Sequence, residues 1–195
     1  MSLFAAYEPG ASGEKLESVQ VRRALPRDVE ALVELTIARS GGTHEDLKAS
    51  YDRETTGRFS EEENRLWVAQ YAADTIAFGR CRWIDSPPEA PPKHIPEGWY
   101  LGGVIVTESL RRRGVARQLT AARLLDLSQN AGEVFYFVNA RNRPSIDLHS
   151  EFGFVEVTRD FEFPRVSFTG GEGILFRLDL ERWPESYRMS RIPAP

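Results

Sequence analysis

One stretch in the second half of this 195-residue chain restricts its fold more than any other. "WYLGGVIVT" (99–107) reads as a strand, "VARQLTAARLLDLSQNAG" as a helix ended by Gly132, and "VFYFVNA" (134–140) as a continuous apolar run. Such a run is the pattern of a strand buried on both faces. A strand, a helix of about four turns and a second buried strand form a right-handed parallel crossover. The fold is therefore expected to hold a parallel strand pair with a helix packed over it.

The flanking segments add to this unit. Val19 to Arg23 alternates as a short strand. "PRDVEALVELTIARS" places Val29, Leu32, Val33 and Ile37 at helical spacing, with Pro26 near the start. Thr43 is positioned to cap a second, more polar helix. Residues 65–71 and 75–84 read as two strands joined by a tight Ala-Asp turn. The stretch 86–98 carries prolines at 87, 88, 91, 92 and 96, which exclude helix and central strand. It is expected to be an extended, semi-rigid loop, either a functional flap or a decorative insertion. "RPSIDLHSEF" predicts a short helix with Pro144 in its first turn, and "FVEVTRDFEF" and "GILFRLDL" predict two closing strands. The order is β-α-α-β-β-β-α-β-α-β-β, an α/β (α+β) mixed sheet with helices on its faces. Residues 1–18 are expected to be a loose leader, 19–180 a single domain, and 181–195 an irregular tail.

Between the crossover's first strand and its helix lies "SLRRRGVARQL", with Arg111, Arg112, Arg113 and Arg117 inside seven positions. A helix start leaves amide N–H groups unpaired and carries partial positive charge. Gly114 lets the backbone approach a ligand closely, and the small Ala116 keeps the first turn open. Together they favour a phosphate or pyrophosphate, and the arginines can add charge-assisted contacts. The pattern Arg111-x-x-Gly114-x-Ala116 is weakly specific alone, and its place at a strand-to-helix junction is what gives it weight. No lysine and Ser/Thr follow Gly114, so this is not a Walker A loop, and no G-x-G-x-x-G is present. Coenzyme A is the common ligand that remains.

Composition narrows the partners. Net charge is -4 and only three of 25 basic residues are lysines, so an arginine cluster carries little meaning by itself. A pI near 5.5 argues against a nucleic-acid binder. No apolar run reaches membrane-spanning length, and the stretch "MSLFAAYEPGASGEK" has neither the basic start nor the apolar core expected of a secretory signal. The expected location is the cytoplasm. Cys81 is the sole cysteine and sits in an alternating apolar run, the setting of a buried structural thiol. His44, His94 and His149 show no metal-ligand spacing, so no metal is expected.

"VIVTESLRRRGVARQLT" resembles the acetyl-CoA box of the GNAT N-acetyltransferase superfamily. "NARNRPSIDLHSEFGF" resembles the next box, through Asn142, Ser145, His149 and Gly153-Phe154. The two boxes span Val104 to Val157, and the element order before them also fits. The resemblance implies a mostly antiparallel sheet with helices on both faces and acetyl-CoA as co-substrate.

By the same resemblance, backbone groups near Val104 and Val106 pair with the pantetheine arm. The amides from Arg112 to Arg117, Val115 included, hold the pyrophosphate beside Arg111, Asn142 bonds the cofactor arm, and Ser145 lies next to it. His149 stands where the family usually has a tyrosine that protonates the departing thiolate. It is either the general acid or a structural histidine. No carboxylate lies in the strand 99–106, so no general base is assigned. The implied reaction is direct acetyl transfer to a primary amine in a ternary complex. Glu45, Asp46, Asp52, Asp85, Glu89 and Glu97, with Trp83, Trp99 and Tyr100, would suit a cationic acceptor, or are simply solvated faces. A homodimer is compatible with this reading. The alternative is a GNAT-fold acetyl-CoA sensor or interaction module without turnover.

Overall fold

The computed structural model describes residues 13–56, 63–87, 89, 93–163, 166, 168 and 170–183. Its elements are β1 (Gln20–Arg23), α1 (Val29–Ser40), α2 (His44–Thr55), β2 (Asn64–Tyr71), β3 (Asp74–Ile84), β4 (Gly98–Val106), α3 (Val115–Leu127), β5 (Glu133–Asn139), α4 (Arg143–Ser150), β6 (Val155–Thr158) and β7 (Gly173–Asp179). The order matches the sequence reading. The strands form a mostly antiparallel sheet in the order β1-β2-β3-β4-β5-β7-β6. β4 and β5 run parallel with Tyr100 opposite Phe135, as a crossover requires.

The chain divides into two compact units. One holds the described residues of 11–82 and 101–126, the other those of 83–100 and 127–191. In the first, Val29, Leu32 and Val33 of α1 and Tyr51 of α2 pack on Leu66, Val68 and Phe78. A second cluster joins Leu16, Val19, Ala69, Ala77, Val115 and Leu119, with Val104 and Val106 against it. In the other unit Ile95, Tyr100, Phe135 and Leu175 form the core, with Phe137, Phe161 and Phe163 beside them. Each buried apolar side chain of this size contributes about 1.5–3 kcal/mol.

Local chemistry explains several boundaries. Thr43 caps α2 as expected, its hydroxyl accepting from the Asp46 amide at 3.2 Å. Pro144 sits in the first turn of α4. The β2–β3 turn differs from the expected Ala-Asp pair: Ala72 and Ala73 form it, at φ +49° and +73°. Both φ values match the two-residue hairpin turn whose twist suits paired strands. α3 ends at Leu127, before the Gly132 expected to stop it. Its last turn closes when the amides of Asn130 and Ala131 bond the Leu127 carbonyl, while the Gly132 carbonyl accepts from Leu180. β6 is shorter than "FVEVTRDFEF" suggests, because the chain beyond Thr158 turns to meet Lys93 and His94.

The expected leader and tail are also not wholly loose. Leu16 is 5% exposed within a core cluster, and Trp183 is 3% exposed beside Phe152. Residues 1–12 and 184–195 lie outside the described residues, as do prolines 88, 91 and 92. The described end of the proline-rich stretch is anchored. The Lys93 carbonyl accepts from the Glu162 amide at 2.7 Å, and Lys93 Nζ lies 2.6 Å from Asp160.

Candidate functional site

The loop from Thr107 to Gly114 connects β4 to α3, and its conformation comes from backbone chemistry. Thr107 ends the strand by donating its amide and hydroxyl to the Ile76 carbonyl, both at 2.9 Å. Arg112 has φ +63° and Gly114 φ +83°. Left-handed residues that alternate with ordinary ones turn successive amides toward one side, the arrangement of an anion-binding nest. Gly114 meets that need without the cost a Cβ imposes, whereas Arg112 adopts the conformation despite having one. Val115 then begins α3, 1% exposed and packed in the core, and Ala116 follows as a small, half-buried residue of the first turn.

The arginines serve partly to build the loop. Arg111 donates to the Val106 carbonyl at 3.4 Å and pairs with Glu108 at 3.3 Å. Arg113 donates from Nε to the Glu14 carbonyl at 3.0 Å. Arg112 is exposed and Arg117 half-buried. Val104 and Val106 turn their side chains into the core. What that part of β4 offers a ligand is backbone.

Gly102 in β4 is explained by packing within the fold, whereas a methyl on Gly103 would meet nothing within 4 Å. A methyl on Gly102 would lie 2.7 Å from Arg80 Cγ, so residue 102 must be glycine for Arg80 to pass. Arg80 in turn pairs with Glu54 at 3.2 Å, and Asn64 donates to the same carboxylate at 3.1 Å. Glu54 is a carboxylate that sequence reasoning missed. Its side chain is 5% exposed and both oxygens are engaged, which marks it as a structural ion-pair partner rather than a base. Its only sequence signal was a polar residue ending a helix.

The second box lies in the other unit. The Asn139 side chain accepts the Arg141 amide at 2.9 Å, shaping the turn that presents Asn142. Asn139 was also passed over, because nothing local distinguishes it from a strand-ending asparagine. Asn142 precedes α4, and its carbonyl accepts from Ser145 and Ile146 while its side chain makes no cap bond. The side-chain amide is thus not committed to the helix it precedes. Ser145 is half-buried one turn on.

His149 occupies a core position. It is 4% exposed, and Nδ1 donates to the Ser145 carbonyl at 2.8 Å. Its ring stacks on Tyr136 at 4.0 Å and meets Phe154 edge-on at 5.4 Å. Burial also pushes the Tyr136 phenol far above its ordinary range, so that ring is neutral. This environment favours the structural histidine over the acid.

The acidic residues considered for an acceptor are mostly engaged. Asp46 bonds the Thr43 hydroxyl, and Asp52 pairs with Lys48 at 2.8 Å on α2. Asp85 accepts from the Trp83 indole at 2.8 Å, Glu97 accepts from the Ser86 amide at 3.3 Å, and Trp83 meets Trp99 edge-on. Glu45 and Glu89 are exposed. Among the described residues no group of three or more His, Cys, Asp and Glu is placed to hold a metal ion. No helix among them is long and apolar enough to cross a membrane.

A mixed sheet with a β4–loop–α3–β5 crossover and a second helix after β5 defines an α/β protein. The model of the Acetyltransferase (GNAT) family matches residues 29–154, and the chain belongs to that family. An N-alpha-acetyltransferase of Sulfurisphaera tokodaii is 29% identical over 101 residues, half of this chain. The match spans 60% of that relative's length. Two solved structures share the fold. One is an N-acetyltransferase of Staphylococcus aureus Mu50, with TM-score 0.63 and 15% identity over 84% of this chain and 99% of that one. The other is the ribosomal-protein-S18-alanine N-acetyltransferase of Escherichia coli, with TM-score 0.59 and 15% identity over 83% and 94%.

Proposed function

We propose that this chain transfers the acetyl group of acetyl-CoA to a primary amine, with the family domain extending over 19–180. The observation that carries the reading is the left-handed backbone at Arg112 and Gly114 directly before the start of α3, a conformation that suits a cluster of backbone amides. An anion with several oxygens fits such a set, and pyrophosphate is the anion that coenzyme A brings. Arg112, Arg117 and the amides of Val115 and Ala116 extend the same cradle. Backbone groups at Val104 and Val106 suit an extended pantetheine arm, and in the other unit Asn142 and Ser145 are the polar residues that the family resemblance assigns to the cofactor.

Bound acetyl-CoA would supply an activated thioester. The chain's part is then to hold the arm, present backbone amides and exclude water, so that a neutral amine can reach the carbonyl. One C–N bond forms, one C–S bond breaks, the amine loses a proton and the sulfur gains one. No residue here is assigned as general acid or base, and no covalent acetyl-enzyme is invoked.

The acceptor is an amine of unassigned structure. Similarity to an N-alpha-acetyltransferase makes a peptide α-amine the first class to test, with small cationic amines as the second. The test is thiol release from acetyl-CoA across a panel of peptides and amines, beside a calorimetric titration with coenzyme A. Turnover on one class supports the proposal and identifies the acceptor. Tight binding without thiol release across the panel would favour an acetyl-CoA sensor, and absence of binding would remove both readings.

A further inference from the structure

Residues 13–16 lie along the phosphate loop and hold it by its carbonyls. The Gly13 amide donates to the Arg112 carbonyl and the Leu16 amide to the Arg113 carbonyl, each at 3.1 Å. Arg113 Nε returns a bond to the Glu14 carbonyl at 3.0 Å, and Gln118 Nε2 reaches the Leu16 carbonyl at 3.5 Å. Leu16 anchors this strap between Val19, Val115 and Leu119.

The consequence follows from peptide geometry. In a planar trans peptide, the C=O of one residue and the N–H of the next point in opposite directions. With the Arg112 and Arg113 carbonyls held by the strap, the N–H groups of Arg113 and Gly114 point away from it. These are two consecutive amides of the proposed pyrophosphate cradle. A loop with φ +63° at a non-glycine residue needs such ties to stay in that conformation.

We propose that Gly13 and Leu16 are positioning residues, which fix the direction of the cradle amides from the face opposite the coenzyme. The proposal rests on the acetyl-CoA reading and is tested so that the two can fail separately. Gly13→Pro removes one N–H from the strap, while Gly13→Ala keeps it and makes only an ordinary 3.4 Å contact with Arg113 Cγ. Leu16→Ala leaves every amide in place and loosens the apolar anchor.

Calorimetric Kd values for coenzyme A and for pantetheine, which lacks the pyrophosphate, provide the readout, with the unliganded denaturation midpoint as control. Gly13→Pro is expected to weaken coenzyme A about tenfold relative to Gly13→Ala, the scale of one lost oriented hydrogen bond. Leu16→Ala is expected to weaken it by a smaller factor. Pantetheine affinity should stay within about twofold in all variants. Equal coenzyme A affinity in Gly13→Pro and Gly13→Ala would overturn the strap's role and leave the cofactor reading intact. Parallel weakening of both ligands with a lowered midpoint would overturn it too, as general loosening. A wild-type chain that binds no coenzyme A would overturn the cofactor reading itself.

Discussion

The guanidinium of Arg123 fills the space that a side chain on Gly79 would need: a methyl there would lie 3.0 Å from Nη1. Arg123 is completely buried in α3, and Nη1 donates to the carbonyls of Arg80 and Gly102, both at 3.1 Å, while Nη2 donates to Thr120. One side chain thus ties the helix of the crossover to β3 and β4. The guanidinium can give way only by lengthening those bonds. Gly79→Ala should therefore destabilise the fold by about 1–2 kcal/mol, in the range of overpacking. Urea denaturation of the two proteins measures it, and an unchanged midpoint would mean that Arg123 moves freely.

Cys81 lies on β3 in the same unit and is completely buried. Burial pushes its thiol up to about 11, outweighing the lowering effect of Arg123. Below about pH 8.5, the ordinary thiol value, both folded and unfolded chains carry the neutral thiol and this group makes no pH-dependent contribution. As pH rises from there toward about 11, the unfolded chain ionises first and stability declines. A thiol reagent at pH 8 should therefore label the protein only after denaturant is added. Rapid labelling of the native protein would contradict this burial.

Asp28 gives the opposite pH response. Burial alone would raise its carboxyl, but Arg22 in a two-pronged contact at 2.7 and 2.8 Å, the Leu25 amide and Thr75 outweigh that effect and hold it below the usual range. Its stabilising contribution is complete above the unfolded value of about 3.9 and is lost as pH falls through the lower folded value. Asp28→Asn should cost about 2–3 kcal/mol near neutral pH, since it breaks a pair whose carboxylate is buried. The gap between the two proteins should close as the medium is acidified below about pH 4. A gap that persists unchanged into strong acid would show that shape, not charge, holds Asp28.

Features carried by local pattern were readable in the sequence, and features carried by distant contacts were not. The crossover could be read because "VFYFVNA" is apolar throughout and the α3 pattern recurs at helical spacing. The Thr43 cap and Pro144 are likewise local. Gly132 misled, because a glycine after a helix pattern resembles a stop signal, yet its carbonyl is used by Leu180 across the sheet. Leu16 looked like part of a loose leader because its partners, Val115 and Leu119, are about a hundred residues away. Glu54 and Gly102 make sense only once Arg80 is seen to connect them. For the candidate site, the glycine and its position between strand and helix were legible. The strap that orients the loop was not, because backbone hydrogen bonds leave no mark on residue identity.

His149 separates a chemical from a packing reading of the second box. A proton donor must touch the sulfur it protonates, and replacing it should remove one limb of the pH–rate profile. A packing residue needs only its shape. Phenylalanine can keep the stack on Tyr136, while the Ser145 carbonyl loses one donor but stays within a helix. His149→Phe should accordingly retain kcat within about threefold, with an unaltered pH profile and unchanged coenzyme A affinity. His149→Ala should lose about 2–4 kcal/mol of stability, because it opens a cavity beside Tyr136 and Phe154. Loss of a pH limb in His149→Phe, with stability intact, would instead make the imidazole the acid that serves the departing thiolate.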